Sequence, residues 1–392
     1  MKKIFSLLTI LLLAGVVTAQ TPDARKRVII TANNGQQTVY DVSKLRHVSF
    51  DKVEPVTASI ELLTAAGFSV KVHVTVPEGC SRYQVAVAPA DEQVGNWAEY
   101  IQSHASSELT ASADVELGGL QELTAYVVAV LTYDRYGMAS TVSTLAVSTV
   151  QATDAELPKV GYILYADGSW SRRMVKGRTP IGIIFSTTTS QDDQSRGWRH
   201  GYALALRNAA QQVKWAVTPA AHQVSDHYTS SDSLGFQTDK DGYAHTMALV
   251  NQGTGLYPAA EAAVAYPSAA PSHSSGWYLP SSGQWFDVCV NLGGLDTTMP
   301  VVGKTEGYWN TPQVVTNCLN LINEHMSLVG AANYEPIKVS SGDYQWFWSS
   351  SESGDQQAYA VFFDQDQLVV EIAAYFKNYG FSTNRVRPVI AF

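Results

Sequence analysis

The chain has little charge and little cysteine. Asp, Glu, Lys and Arg make up only 16% of its 392 residues, and the formal net charge is −9. A nucleic-acid partner selects for a basic footprint and an anionic membrane for a polybasic segment, so neither partner is predicted. Three cysteines are too few for a disulfide scaffold. Cys289 and Cys318 can pair with each other, but one cysteine is left over in any pairing, and we expect buried thiols.

Long apolar runs are also missing, apart from Phe5 to Val17. This run is too short to span a bilayer comfortably. Lys2 and Lys3 precede it, and Val17-Thr18-Ala19 supplies the small residues of a cleavage site. The pattern predicts a signal peptide over residues 1–19, an exported mature chain and no transmembrane segment after cleavage.

Sequence motifs of catalysis and metal binding are missing too. The nine His form no HExxH motif and no short Cys/His cluster, and there is no GxSxG elbow, Walker loop or dinucleotide fingerprint. Ser225-Asp226-His227 contains the residue types of a catalytic triad, but adjacency in sequence is not triad geometry. We therefore predict a protein that is not an enzyme, with no catalytic residue and no metal site.

The chain does contain alternating apolar segments separated by turn signals. Its length predicts two or three domains, and its patterns predict a mainly β fold with some α. We expect a short N-terminal β-hairpin unit over residues 20–54, a β-sandwich over 55–151 and an α+β domain over 158–392. Eight of the nine Trp follow this last boundary, which indicates that the third domain has a different core chemistry.

The first two predicted domains carry local signals. Asn33-Asn34-Gly35 predicts a hairpin turn after the strand Arg27 to Thr31, and this unit resembles a leader of secreted proteins of some Gram-negative bacteria. Strict alternation from Phe68 to Val76 predicts a strand with one buried face. Leu123-Thr124-Ala125-Tyr126 resembles the tyrosine corner of immunoglobulin-like, fibronectin type III-like modules. There the Tyr hydroxyl ties the strand to an adjacent loop.

Spaced aromatic blocks occupy the last third of the chain. They are Gly276-Trp277-Tyr278-Leu279-Pro280, Gln284-Trp285, Trp346 to Glu352, and Arg385-Val386-Arg387-Pro388-Val389. Because these blocks are short and are separated by long stretches of sequence, we expect the distant segments that carry them to meet in one aromatic core. The blocks resemble those of bacterial surface proteins with a C-type lectin-like domain, whose pattern is GW-x-LP, then W-S-S-[ST]-E, then V-R-x-V. The resemblance covers Gly161 to Phe392. It implies that fold, a location of Gram-negative type (cell surface, extracellular or periplasmic), and binding rather than catalysis.

The same resemblance bears on cofactors. Sugar-binding C-type lectins often hold calcium with a Glu-Pro-Asn or Gln-Pro-Asp triplet and a Trp-Asn-Asp triplet. Here Glu335-Pro336-Ile337 and Trp309-Asn310-Thr311 lack the final oxygen ligand, so no cofactor is predicted, and calcium at another site stays open. Formylglycine-generating enzymes share the fold and depend on two late redox cysteines. This chain has none after Cys318, so that activity is not expected.

Aromatic side chains are the strongest binding candidates, because they offer large contact area at a low entropy cost. The family blocks imply core packing for Trp277, Trp285 and Trp348. We predict loops around Trp309, Trp346 and Tyr379, which would bring these side chains to the surface. The predicted ligand-binding residues are Tyr308, Trp309, Asn310, Trp346, Glu352 and Tyr379.

These signals together predict a cell-surface binding protein of the adhesin kind. The C-terminal domain would recognise a glycan or a surface or extracellular-matrix protein, with the sandwich as spacer. One alternative is a structural subunit of a surface fibre or fimbrial tip, whose partners are other subunits. Another is the glycan-binding component of a polysaccharide uptake system.

Overall fold

A computed structural model describes residues 27–32, 34–49, 52–105, 107–218, 235–302, 306–339, 344–379 and 384–392. The chain divides into two compact units, Met1–Glu54 and Pro55–Phe392. The predicted signal peptide and the Ser225-Asp226-His227 string lie outside the described residues. No helix within the described ranges is both long enough and apolar enough to cross a membrane.

The protein is mainly β, with 33% strand and 18% helix, which confirms the predicted class. The strands are β1 (Arg27–Thr31), β2 (Gln37–Asp41), β3 (Ser59–Ala65), β4 (Val70–Thr75), β5 (Arg82–Pro89), β6 (Glu108–Leu109), β7 (Ala113–Leu117), β8 (Ala125–Tyr133), β9 (Ala139–Ser148), β10 (Ile163–Tyr165), β11 (Trp170–Ser171), β12 (Pro180–Ser186), β13 (Tyr202–Ala205), β14 (Ala210–Gln211), β15 (Val301–Val302), β16 (Glu306–Trp309), β17 (Tyr344–Glu352), β18 (Gln357–Asp364), β19 (Val369–Phe376), β20 (Asn384–Val386) and β21 (Val389–Ala391). The helices are α1 (Trp97–His104), α2 (Gln191–Ser195), α3 (Gly235–Thr238), α4 (Gly242–Val250), α5 (Pro258–Val264), α6 (Ser282–Asp287) and α7 (Val314–Ser327), with a 3-10 turn at Val42–Lys44 and a π-helical segment at Val288–Leu292.

The first unit contains one antiparallel hairpin. β1 pairs with β2 from Arg27 opposite Asp41 to Thr31 opposite Gln37. Gly35 takes a φ of +81° at the turn, a conformation that glycine adopts without a Cβ clash. The predicted strand and turn positions therefore agree with the described part of this hairpin.

Two antiparallel sheets form the start of the second unit. Their strand orders are β3-β4-β7 and β6-β5-β8-β9. The core between them is formed by side chains that alternate along the strands: Val70, Val72, Val74, Tyr83, Val85, Val87, Tyr126, Val128 and Val130. The predicted corner is confirmed, because the Tyr126 hydroxyl accepts a hydrogen bond of 2.8 Å from the backbone N–H of Gln121.

Two further sheets organise the C-terminal region. One has the strand order β11-β10-β12-β13-β21, and the other has the order β14-β20-β17-β18-β19-β16-β15. The main core lies between them and takes in α6, the π-helical segment and α7. Strand β21 pairs with β13 and forms one edge of the five-stranded sheet.

The aromatic blocks meet in this region. Trp285 is fully buried, and its Nε1 donates to the Trp348 carbonyl at 3.1 Å. Tyr278 forms an isolated antiparallel bridge with Val389, which joins the first block to the last. Trp277 is 5% exposed, and its Nε1 donates to a backbone carbonyl. The predicted core positions of Trp277, Trp285 and Trp348 are confirmed.

The sandwich sheets and the C-terminal region touch backbone to backbone within the second unit. A Cβ added to Gly168 would lie 2.8 Å from the Cα of Gly119, so the backbones of these two segments approach closely there. The Gln121 side-chain amide donates to the Gly197 carbonyl at 2.6 Å. We call this contact zone the junction, and it holds the two parts of the second unit together.

Candidate functional site

The outer face of the seven-stranded sheet carries the candidate site. Successive side chains of a strand point to opposite faces, so pairing register decides which residues share a face. The inner row of Phe347, Val361 and Ile372 belongs to the main core. The adjacent row runs across four strands on the other face: Trp346, Phe362, Glu371 and Tyr308.

Part of this outer face is covered by the chain itself. Ala358 and Ala360 are fully buried there, in a cluster with Trp215 and Trp348. Their small side chains leave room for the Trp215 ring, whose Nε1 donates to the Ser349 carbonyl at 2.7 Å. The remaining part of the face is where larger side chains stand partly open to solvent.

We name that remaining part the aromatic face and define it by the six residues Trp346, Phe362, Tyr375, Tyr308, Glu371 and Glu306. The ring centroids of Trp346 and Tyr375 are 3.8 Å apart, and those of Trp346 and Phe362 are 5.3 Å apart at 89°. Trp346, Tyr375 and Tyr308 are half-buried, whereas Phe362 is 7% exposed. Such mutually braced rings present fixed apolar area with little entropy left to lose on binding.

A carboxyl group adjoins these rings. The Tyr375 hydroxyl donates to Glu371 Oε2 at 3.2 Å. Burial raises the pKa of Glu371, and the negative charges of Glu306 and Asp364 raise it further. Burial, followed by the nearby Glu371 carboxylate, also raises the pKa of Tyr375. The phenol therefore stays protonated and remains a hydrogen-bond donor to Glu371.

Five of the predicted binding residues lie on β16, just after it, or on β17. Trp346 and Tyr308 are both on the aromatic face, although Trp346 belongs to a strand and the predicted loop there was wrong. Trp309 faces the core instead, at 4% exposure, and its Nε1 donates to the Asp296 carbonyl. The loop predicted for Trp309 was also wrong. Asn310 is exposed directly after the strand.

The last two predicted residues, Glu352 at the end of β17 and Tyr379 beyond β19, do not belong to the aromatic face. Glu352 is fully buried and forms an ion pair with the equally buried Lys377. The Lys377 Nζ also donates to the carbonyls of Gly354 and Asp355, at 3.0 Å each, so this pair fixes the turn between β17 and β18. Tyr379 is 37% exposed beyond β19, where its ring packs against that of Phe376.

Sequence reasoning missed Phe362 and Glu371. Each is recognisable only through its strand register, because Phe362 lies opposite Trp346 and Glu371 lies opposite Phe362. A single strand gives the alternation of its own side chains but does not say which strand lies beside it. In β18 every residue from Ala358 to Asp364 is buried, so polar–apolar alternation gave no signal there.

A buried polar cluster contains the residue types of nucleophilic catalysis but not the geometry. Ser350 Oγ and Asp239 Oδ2 lie 3.5 and 3.7 Å from the same nitrogen of His245, its Nδ1. A triad needs the nucleophile and the carboxylate on different ring nitrogens. Asp239 instead accepts from Ser351 Oγ at 2.5 Å. Among the described residues, no group of three or more His, Cys, Asp and Glu side chains is placed to hold a metal ion.

Two clefts, of about 410 and 380 Å³, flank the junction rather than the aromatic face. Polar groups on their walls already serve the fold. Arg178 forms an ion pair of 2.8 Å with Glu116, and Gln121 bonds to Gly197. We therefore place the candidate site on the aromatic face, where partly exposed rings and a carboxyl group stand together.

Comparison with known proteins does not assign the chain to a family. No protein-family profile matches the chain, and no curated protein matches it. Among solved structures, a short form of the sensor domain of the anti-sigma factor RsgI4 of Pseudobacteroides cellulosolvens is 15% identical. It covers 25% of this chain and 100% of its own, with a TM-score of 0.18. The twitchin kinase region of C. elegans is 16% identical, covers 32% of this chain and 22% of its own, and has a TM-score of 0.21. Similarity at this level carries no argument about fold or function.

Proposed function

We propose that the protein is an exported cell-surface binding protein, of Gram-negative type, that recognises a glycan or a protein through the aromatic face. The observation that carries the proposal is the braced pair Trp346 and Tyr375 beside the Glu371 carboxyl, partly open to solvent on a rigid sheet. Aromatic side chains of this kind dominate the energetics of sugar stacking and of protein interfaces. Rigid strands hold such a site more accurately than loops do.

The proposed architecture supports this role. We propose a C-type lectin-like fold for residues 158–392, because Trp285 bonds to Trp348 and Tyr278 pairs with Val389 across the family's blocks. The Tyr126 corner supports a fibronectin type III-like module over residues 55–151. That module would act as a spacer, and the signal peptide over residues 1–19 would direct export. No catalytic role is part of the proposal.

The test is binding of the full chain to a panel of glycans and extracellular-matrix proteins, with and without calcium. A ligand that binds at the aromatic face should lose roughly 10- to 100-fold in affinity when Trp346 becomes Ala. Tyr136→Ala is the matched control, because Tyr136 is 57% exposed in the β8–β9 turn and is not one of the residues of the aromatic face. Ligands that bind Trp346→Ala and the unmodified protein equally well would contradict the proposed face.

A specific observation favours a second function, that of a structural subunit of a surface fibre. In the first unit Ile29, Ile30, Val39 and Tyr40 are 57%, 49%, 50% and 43% exposed. A two-stranded hairpin is marginal by itself in water, and apolar exposure of this kind invites a partner strand. Light scattering tests it: mass that grows with protein concentration would favour the fibre. Binding of soluble polysaccharide would instead favour the uptake system.

A further inference from the structure

Carboxylates are the only charged side chains that define the aromatic face. Glu371 stands in the same cross-strand row as Trp346 and Phe362, and Glu306 lies two residues before Tyr308 on the same side of β16. Glu306 and Glu371 are both half-buried. Neither carboxylate forms an ion pair with any residue that the structure describes.

The neighbours of Glu371 increase this negative field. The charged groups that act on it are Glu306 and Asp364, both of the same sign. Asp364 is committed to the β18–β19 turn, where its Oδ1 accepts the backbone N–H groups of Asp366 and Gln367 at 2.8 and 2.9 Å. A half-buried carboxylate without a cation costs stability in the free protein, and that cost is recovered when a cation binds.

The adjoining rings prefer the same kind of ligand. The face of a Trp or Tyr ring carries negative potential, so a cation placed over it is attracted, and more strongly where water is excluded. A carboxylate at the ring edge adds a direct partner for the same cation. An anionic glycan would meet repulsion at this site, while a neutral sugar would leave the charges uncompensated.

From these observations we infer that the aromatic face binds a Lys or Arg side chain of a protein partner, with the cation beside the Trp346 and Tyr375 rings and paired with Glu371. This inference rests on the proposed binding function and narrows its ligand to a basic protein segment. The net charge of −9 on the whole chain acts in the same direction, because it attracts a basic partner over longer range.

The experiment compares two probes that differ only in charge. A ten-residue lysine peptide and the same peptide with every lysine acetylated are titrated against the full chain by calorimetry. Acetylation keeps the aliphatic stem and removes the cation. The lysine peptide should bind at least about tenfold more tightly than the acetylated one. Its affinity should fall as salt is raised from about 0.05 M to 0.5 M.

Matched variants separate a specific site from general attraction to an acidic protein. Glu371→Gln should weaken lysine-peptide binding about tenfold. Glu78→Gln removes an equally negative but exposed side chain from the β4–β5 turn, and should leave the affinity unchanged. Equal weakening by both variants would mean that the peptide binds the overall charge, and would overturn the inference.

A stability measurement tests for a merely structural role. Since the half-buried Glu371 carboxylate has no cationic partner among the described residues, Glu371→Gln should leave the midpoint of urea unfolding unchanged or raise it, while binding weakens. A lower midpoint together with weaker binding would indicate a structural role and overturn the inference. A neutral glycan that binds through Trp346, with no response to the lysine peptide, would overturn the inference but leave the proposed function standing. No binding of any panel member, together with no binding of the lysine peptide, would remove both.

Discussion

Acid should weaken the junction of the second unit, because His200 is a half-buried, neutral ring there. Its ring packs against Phe68, Trp170 and Phe392, with centroid distances of 4.7, 5.3 and 6.3 Å. Within the described residues, the Nε2 atom of His200 is buried and has no hydrogen-bond partner. A proton added there would place a charge among aromatic rings with nothing to receive it.

The magnitude follows from the pKa of His200. Burial lowers this pKa from 6.5 to about 4, although a hydrogen bond to the Leu120 carbonyl and the charge of Glu122 act to raise it, and Arg199 lowers it further. One pKa unit corresponds to about 1.4 kcal/mol. Once His200 is fully protonated in the unfolded chain, the free energy of unfolding is therefore lower by about 3 kcal/mol.

The direction of the His200 pKa shift determines the pH range over which stability is lost. Above pH 6.5 the ring is neutral in both the folded and the unfolded chain, and the full stability is present. Between about pH 6.5 and pH 4 the unfolded chain binds a proton that the folded chain does not, so the free energy of unfolding falls with falling pH. Below about pH 4 both states are protonated and this loss stops growing.

Urea unfolding of the unmodified chain and of His200→Gln measures this term. Carboxylates titrate in both proteins, so their contribution cancels in the difference between them. The free energy of unfolding of the variant, relative to that of the unmodified chain, should rise by about 3 kcal/mol between about pH 7.5 and pH 4. His47→Gln is the control, because His47 is exposed in the first unit. A difference that stays the same at both pH values would refute the reasoning, whatever the variant's stability at neutral pH.

Two further substitutions test other contacts of the second unit. Lys377→Met would leave the fully buried Glu352 without its cation and should lower the free energy of unfolding by about 3–5 kcal/mol in urea titrations. Adding Glu352→Gln should recover part of this loss, and no recovery would contradict the pairing. Gly168→Ala places a Cβ 2.8 Å from Gly119 at a φ of +80°, and should lower stability by about 1–3 kcal/mol. An unchanged thermal midpoint would mean that the junction yields without strain.

Strands with one buried face were the most predictable part of the fold. Val70, Val72 and Val74 alternate in the sequence, and all three are fully buried in β4. The alternation works here because the other face of the sheet does not have to be apolar. The Tyr126 corner was equally readable, since both partners of its hydrogen bond lie within six residues.

The seven-stranded sheet could not be predicted in the same way, because its pairings join distant segments. β16 has only four residues and pairs with β19, more than sixty positions later. Local sequence gives no register for such a pair. Tyr308 and Trp309 are adjacent, yet one faces the aromatic face and the other the core, since a shift of one residue reverses every side chain.

Helix starts were predicted only to within a few residues. The sequence predicts a helix cap at Ser282, but Ser281 is the cap, and its side chain and that of Gln284 form a reciprocal capping box. Thr311-Pro312 predicts the start of the next helix, since Pro suits a first helical turn, but α7 begins at Val314 after Gln313 adopts a left-handed φ of +61°. Such backbone detail depends on tertiary packing, which the sequence pattern does not specify.

Buried ionic groups show why the candidate site differs from the rest of the sheet. Glu352 was predicted to bind a ligand, yet it is buried with Lys377, a partner that lies 25 residues away in the sequence. Glu371 lies in the same sheet and has no such cation among the described residues. Local departures from the usual rules of burial are expected where function requires them. Among the described residues, one carboxylate near this sheet is compensated and the other is not, and this contrast is the physical basis for our proposal that Glu371 contributes to ligand recognition.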